Sequence, residues 1–285
     1  MNYIIRRKKL GKSSCLGITQ HMDSNIKILR NDKLIPNLDG YVFRWGCTST
    51  LDSPSAKVIN KPEAISFVNN KINFRKECIK QGISVPKTWF NLDEVPSNYY
   101  PVIVRPEKHS QGRKLYLCYN HDQISKAIAK CGERYYISQY VAKEKEYRVF
   151  VCQGRVVWVA DKVPTDPSKV AWNVAQGGST FVNVRWSEWP LKAVKLAIKA
   201  MNISGLDFGG VDVMVAKDGT PFIIEINSAP SQTSQYRQAA VGRVFDWVIT
   251  CGKNRILVGD SGKYRRYIHP ALDSAAIIGS DNNET

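Results

Sequence analysis

The sequence predicts an α+β protein, on three observations. Its middle is rich in hairpin signals, its helical stretches are few and unevenly spaced, and no strand–helix unit recurs as a doubly wound sheet requires. The 285 residues suffice for about two domains, or three small ones, each with a core.

Residues 1–60 mix short apolar runs, YII at 3–5 and YVFRW at 41–45, with turn residues, and read as a small α/β unit. From Pro62 to Gly82 the spacing is helical, with Gly82 as C-cap. ISVPKTW (83–89) is an extended exit. PVIVRP (101–106), LYLCY (115–119) and YYISQYV (135–141) are strands, with a short amphipathic helix at 122–131. EYRVFVCQGRVVWVAD (146–161) gives two strands joined at Gln153–Gly154. A polar loop follows from Pro164 to Thr180, then an amphipathic helix, WPLKAVKLAIKAMN (189–202). A second hairpin occupies 209–227, before a loop and a helix near Ala239–Thr250. After Gly252 the chain is basic and then polar, and its last six residues are expected to be disordered.

Composition narrows the function classes. With 43% hydrophobic and 23% charged residues, the chain fits an ordinary soluble globular protein. No apolar run approaches the roughly 20 residues of a membrane helix. The basic N-terminus, MNYIIRRKKLGKSS, lacks a secretory apolar core, so cytoplasmic residence is the expectation. The seven cysteines form no CxxC pair and the four histidines are dispersed, which argues against a disulfide framework or zinc site. The thiols are expected to be small buried hydrophobes. The net charge of +16 attracts polyanions: nucleotides, nucleic acid, acidic peptides or anionic polymers. Apart from RRKK at 6–9 and KYRR at 263–266 the basic residues are spread out, without the aromatic-basic repeat of an RNA-binding sheet. Solvated basic faces that also hold a triphosphate are the preferred reading.

The most informative segment is DFGGVDVMVAKDGTPFIIEINSAP (207–230). Asp218–Gly219 is a favoured two-residue hairpin turn. With that turn, Lys217 pairs with Thr220 and Asp212 lies across from Glu225, while Glu225 and Asn227 share a strand face. Two carboxylates directly opposite on a sheet repel. An oxygen-only cluster of this kind suits Mg²⁺, which compensates the repulsion, so Asp212, Glu225 and Asn227 are the candidate metal ligands.

These residues resemble the ATP-grasp family of carboxylate–amine ligases, whose metal signature is an Asp followed by Glu-x-Asn and a small-residue–Pro loop. EINSAP is similar to the form found in ligases that add glutamate or related groups to proteins and peptides. The resemblance runs over roughly residues 41–250 and implies two α+β lobes gripping ATP behind a short N-terminal α/β domain. It also implies the role of each matching residue. NNKINFRKECIKQGISVPKTW (69–89) resembles the entry segment whose lysine, here Lys71, contacts ATP phosphate. PVIVRPEKHSQGRKL (101–115) resembles the strand and phosphate lid, with Arg105 where the family usually has Lys, and Ser110, Gln111 and Gly112 in the lid. The arginine keeps the charge and adds a bidentate fork; the lid keeps one glycine where the family often has several. YISQYV (136–141) is similar to the adenine hinge, implying contacts at Gln139, Tyr140 and Val141. In EYRVFVCQGRVV (146–157), Glu146 matches the ribose-contacting acid and Arg148 the residue that stabilises charge at the reacting phosphate. Lys162, just past the second strand, and Asn173 with Gln176–Gly177–Gly178 resemble the loop over the γ-phosphate and acceptor. FRWGC (43–47) resembles a turn in bacteriophage-encoded ligases, which would place the protein in a host cytoplasm.

The resemblance thus implies a chain divided at 1–68, 69–141, 142–252 and a basic or polar tail at 253–285. Its cofactors would be ATP and Mg²⁺, with Mn²⁺ as an alternative ion, and Arg148, Lys162 and Asn227 its candidate catalytic residues. Its substrates would be a carboxylate and an amine, the latter an amino acid, a peptide or a protein terminus; oligomeric state stays open. Two alternatives stand beside it: an ATP-grasp kinase, and a basic nucleic-acid-binding or structural protein with a residual nucleotide fold.

Overall fold

The computed structural model describes residues 1–8, 11–31, 37–108, 114–172, 177–252 and 265–272. The chain begins with β1 (Asn2–Arg6), α1 (Lys12–Thr19), β2 (Ile26–Arg30), β3 (Tyr41–Trp45) and β4 (Lys57–Ile59). The four strands form a parallel sheet in the order β2-β1-β3-β4. Ile4 and Ile5 are both buried, in separate clusters on the sheet's two faces, as parallel strands covered on both sides require.

The stretch read as one helix from Pro62 to Gly82 is two: α2 (Pro62–Asn69) and α3 (Lys71–Lys80). Asn70 breaks it. Its backbone is extended and its Oδ1 accepts the Asn73 N–H at 3.0 Å, so it caps a new helix instead of continuing the old one. Past α3, the Ile83 N–H donates to Cys78 O and the Gly82 N–H to Ile79 O, the paired bonds that close a helix on glycine.

Next come β5 (Thr88–Trp89), β6 (Val102–Pro106), β7 (Tyr116–Cys118), α4 (His121–Cys131) and β8 (Tyr135–Gln139). The strands form an antiparallel sheet, β5-β8-β6-β7, with a core of its own that includes Trp89, Val104, Ile124 and Ile137. β8 ends at Gln139, earlier than expected. Tyr140 and Val141 lie in the link to the next sheet, where the Tyr140 N–H still reaches Pro101 O at 3.3 Å.

The largest sheet is antiparallel, in the order β11-β10-β9-β12-β13. Its strands are β9 (Lys143–Cys152), β10 (Arg155–Pro164), β11 (Ser179–Val184), β12 (Phe208–Ala216) and β13 (Pro221–Asn227), with helices α5 (Leu191–Ser204) and α6 (Gln235–Cys251). β9 and β10 meet at Gln153 (φ 49°) and Gly154 (φ 73°), both positive as a type I′ turn demands. β11 was not legible: it begins at the end of what reads as a polar loop. Because β11 supplies a ladder partner, β10 runs to Pro164, and Lys162 lies within the strand opposite Phe181.

The core is continuous between the first and last sheets. Phe43 stacks on Phe245 with centroids 4.1 Å apart, and Trp45 on Phe208 at 5.5 Å. Asn60, fully buried, accepts the Asp207 and Phe208 N–H groups and donates to Phe208 O, which fixes the end of β4 to the start of β12. Five of the seven cysteines are buried, and burial pushes the thiols of Cys15 and Cys78 up to about 12, so they act as apolar packing. No helix among the described residues is long and apolar enough to cross a membrane.

Candidate active site

Asp212 does face Glu225, although the turn is not the one the sequence suggested. The loop holds three residues, Lys217, Asp218 and Gly219, with the Ala216 N–H bonded to Thr220 O. That turn pairs Val213 with Ile223, one residue off the expected register, and a β-bulge at Ile224 then restores it. Two departures cancel, and Asp212, Glu225 and Asn227 converge. The Asn227 Nδ2 lies 3.2 Å from Glu225 Oε1 and 3.5 Å from Asp212 Oδ2.

The repulsion expected between the two acids is met by cations of the chain itself. Asn183, Ala160, Arg148, Asp212 and Glu225 form one row across all five strands. Arg148 grips Asp212 with both arms of its guanidinium, Nε to Oδ1 at 2.6 Å and Nη2 to Oδ2 at 2.8 Å. Burial opposes the charge on Arg148, but Asp212, with Glu225 and Glu146 behind it, outweighs it and the pKa is raised. Lys71, the first residue of α3, reaches Glu225 Oε2 at 3.2 Å. The Asn70 cap that broke the predicted helix therefore places Lys71 at the site.

A second cluster adjoins the first. Glu146, 4% exposed, accepts from Lys162, and from Lys143 Nζ at 2.5 Å; Lys162 also lies 3.9 Å from Asp212 Oδ2. Burial would raise the Glu146 pKa, but the two lysines outweigh it and hold the carboxyl below its ordinary range. Lys143 is itself lowered, because burial exceeds the pull of Glu146. Phe181 roofs this region, 4.7 Å from the Arg148 guanidinium and 5.7 Å from Lys162 Nζ. Sequence reasoning missed Lys143, which an irregular register at the start of β9 brings to the site face, and Phe181, whose strand was not foreseen.

Two glycines allow close approach. A Cβ on Gly210 would stand 2.9 Å from Pro230 and 3.3 Å from the Arg148 side chain. At Gly46 it would stand 2.7 Å from Ala229. The FRWGC turn thus abuts the Ser228–Ala229–Pro230 loop that follows Asn227.

The remaining expected residues lie elsewhere. Arg105 is on β6 opposite Tyr136, whose ring carries the Arg75 guanidinium 5.1 Å from its centroid. Gln139 closes β8, its N–H bonded to Lys87 O, and Tyr140 and Val141 follow in the link to β9. Ser110, Gln111, Gly112, Asn173 and Gln176 lie outside the described residues, as does most of the tail beyond Gly252. Among the described residues no three of His, Cys, Asp and Glu gather as a metal site. At the hairpin the donors are two carboxylates and an amide, an oxygen set that fits Mg²⁺ once Asn227 presents its carbonyl.

Two antiparallel sheets, one of which carries the row of acids and cations, define the class of fold. A solved structure of similar fold is D-alanine–D-alanine ligase from Bacillus anthracis complexed with ATP, at a TM-score of 0.64 and 15% identity, covering 90% of this chain and 98% of that one. The model of the RimK-like ATP-grasp domain matches residues 64–243, and the chain belongs to that family. Two relatives are human N-acetylaspartylglutamate synthase A, 27% identical over 62% of this chain, and a probable alpha-L-glutamate ligase of Parasynechococcus marenigrum, 26% identical over 70%. The matches span 48% and 45% of those proteins' lengths.

Proposed function

We propose that the protein is an ATP-dependent carboxylate–amine ligase. The observation that carries this reading is the row Arg148–Asp212–Glu225 on the large sheet, with Asn227 and Lys71 against it. In the proposed reaction a substrate carboxylate oxygen attacks the γ-phosphorus of ATP, the bond to ADP breaks, and an acyl phosphate forms. An amine nitrogen then attacks the acyl carbon, phosphate leaves, and one proton is released as the amide forms. The first step is governed by positioning and charge neutralisation.

Asp212, Glu225 and Asn227 would hold Mg²⁺, which would neutralise phosphate charge when bound. Lys71 and Arg148, now paired with these acids, would turn to phosphate oxygens, while Lys162 leans on Glu146 and Arg105 serves from the small sheet. Gln139, Tyr140 and Val141 would meet adenine at the end of β8 and in the link that follows it. The proposed division follows the lobes, 69–141 and 142–252, behind the N-terminal unit 1–68. The names of the relatives support glutamate as a first amine to try. The test is a screen of amino acids and short peptides for ADP release with Mg·ATP, followed by mass spectrometry of the product. An amide product with one ADP per bond supports the reading; a phosphorylated acceptor would replace it with the kinase.

A further inference from the structure

The motif at 146–157 implies that Glu146 meets the ribose of ATP, but the fold engages that carboxylate otherwise. Glu146 lies two residues before Arg148 on β9, on the same face of the strand. Its side chain is 5% exposed and both oxygens are taken, Oε1 by Lys162 Nζ and Oε2 by Lys143 Nζ at 2.5 Å. A ribose hydroxyl would reach the carboxylate only by displacing a buried ammonium. That exchange replaces a bond between two charges with one to a neutral donor, and leaves a lysine buried without its anion.

Lys143 is brought to Glu146 by a bulge. Lys145 pairs with Val215 but Lys143 with Ala216, so Glu144 stands outside the ladder, exposed. In an unbroken strand Lys143 would share the face of Lys145, which bonds Asp161 on the other side of the sheet. Bulges of this kind re-aim side chains beside active sites. Trp172, 6% exposed, closes the pocket, with Lys143 Nζ 4.2 Å from its ring centroid.

The second lysine is the one nearest the chemistry. Lys162 Nζ bonds Glu146 and stands 3.9 Å from Asp212 Oδ2, and an ammonium has three N–H donors to distribute. If Oε2 of Glu146 were vacant, both oxygens would compete for Lys162 and draw it from Asp212. With Lys143 on Oε2, Lys162 is held at Oε1 alone. We propose that Lys143 is a positioning residue for phosphoryl transfer: it fixes Glu146 as an anchor and not as a ribose acceptor, and Glu146 in turn aims Lys162 at the transferring phosphate. This rests on the ligase reading, through its first step.

Two measurements test it. Binding of a non-hydrolysable ATP analogue and of its 2′-deoxy and 3′-deoxy forms, with Mg²⁺, is followed by titration calorimetry on the wild type and Glu146→Gln. The factor by which each hydroxyl tightens binding should be the same in both proteins. A factor present in the wild type and lost in Glu146→Gln would make Glu146 the ribose acceptor and overturn the proposal. ADP release, with the substrates found by the screen, is then compared for Lys143→Met, Lys143→Arg, Glu146→Gln and Lys143→Met/Glu146→Gln. Lys143→Met should lower kcat by about 10–100-fold, the worth of one hydrogen bond to a charged group, with the KM for ATP unchanged. Lys143→Arg should recover part of kcat. The double variant should be no slower than Glu146→Gln alone, because Lys143 acts through that carboxylate. Wild-type kcat in Lys143→Met, a loss confined to KM, or losses that multiply in the double variant would each overturn it. Should Lys143→Met fail to fold, judged by circular dichroism, Lys143→Gln is read by the same criteria. Failure of the ligase reading looks different: the wild type would release no ADP with any carboxylate or amine.

Discussion

Arg148 and Asp212 form a buried, two-pronged ion pair, 2.6 and 2.8 Å across the adjacent strands β9 and β12 of the large sheet. Such a pair reverses one expectation. With two acids merely opposed, deleting Asp212 would relieve repulsion and stabilise the chain. With Arg148 clamped on it, Asp212→Ala leaves a buried guanidinium uncompensated, at a cost of about 3–5 kcal/mol. We expect a melting temperature lower by on the order of 10 °C, measured by calorimetry. The double variant Arg148→Met/Asp212→Leu should recover much of the loss, and an unchanged or raised melting temperature for Asp212→Ala would refute the pairing.

Glu146 gives a pH dependence with a definite sign. Its folded pKa is held below the ordinary 4.5, so its contribution to stability is present above that value and is lost as pH falls through the lowered folded pKa. Urea unfolding from pH 7 to pH 3 should show the wild type more stable than Glu146→Gln at neutral pH, with the gap closing below pH 4.5. A gap that persisted undiminished at pH 3 would contradict the assignment.

The cap at Asn70 ties helix formation to the site. Asn70→Ala should cost about 1 kcal/mol and Asn70→Ser or Asn70→Asp much less. Because Lys71 begins the capped helix, the alanine variant should also raise the KM for ATP. A stability loss with an unchanged KM would separate the cap from nucleotide binding.

Gly210 should tolerate no side chain. Its Cβ would press on Pro230 at 2.9 Å, and the loop after Asn227 or Arg148 must move. Gly210→Ala should lose about 1–3 kcal/mol and weaken Mg²⁺-dependent binding of a non-hydrolysable ATP analogue. Titration calorimetry of the analogue with and without Mg²⁺ checks it.

Much of this architecture is legible in the residues, for reasons that are local. The hairpin at Gln153–Gly154, the existence of a second hairpin over 209–227, the amphipathic α4 and α5, and the facing of Asp212 and Glu225 follow from turn chemistry and periodicity. The last holds although the turn differs from Asp218–Gly219, because the bulge at Ile224, which leaves no trace in the pattern of apolar residues, offsets the longer loop. Asn70 reads as one polar residue in a helical run unless its capping role is considered. β11 hides because Ser179–Val184 is short and follows a polar glycine-containing stretch. Pairings across distant segments, Lys71 with Glu225 and Lys143 and Lys162 with Glu146, need the folded chain.

The central claim is that a substrate carboxylate is activated as an acyl phosphate at Asp212, Glu225 and Asn227. Trapping with hydroxylamine in the presence of Mg·ATP and the carboxylate found by the substrate screen tests it most directly, since acyl phosphates yield hydroxamates. The account predicts hydroxamate in step with ADP for the wild type, and neither for Glu225→Ala. ADP release with a stable phosphorylated acceptor and no hydroxamate would contradict it.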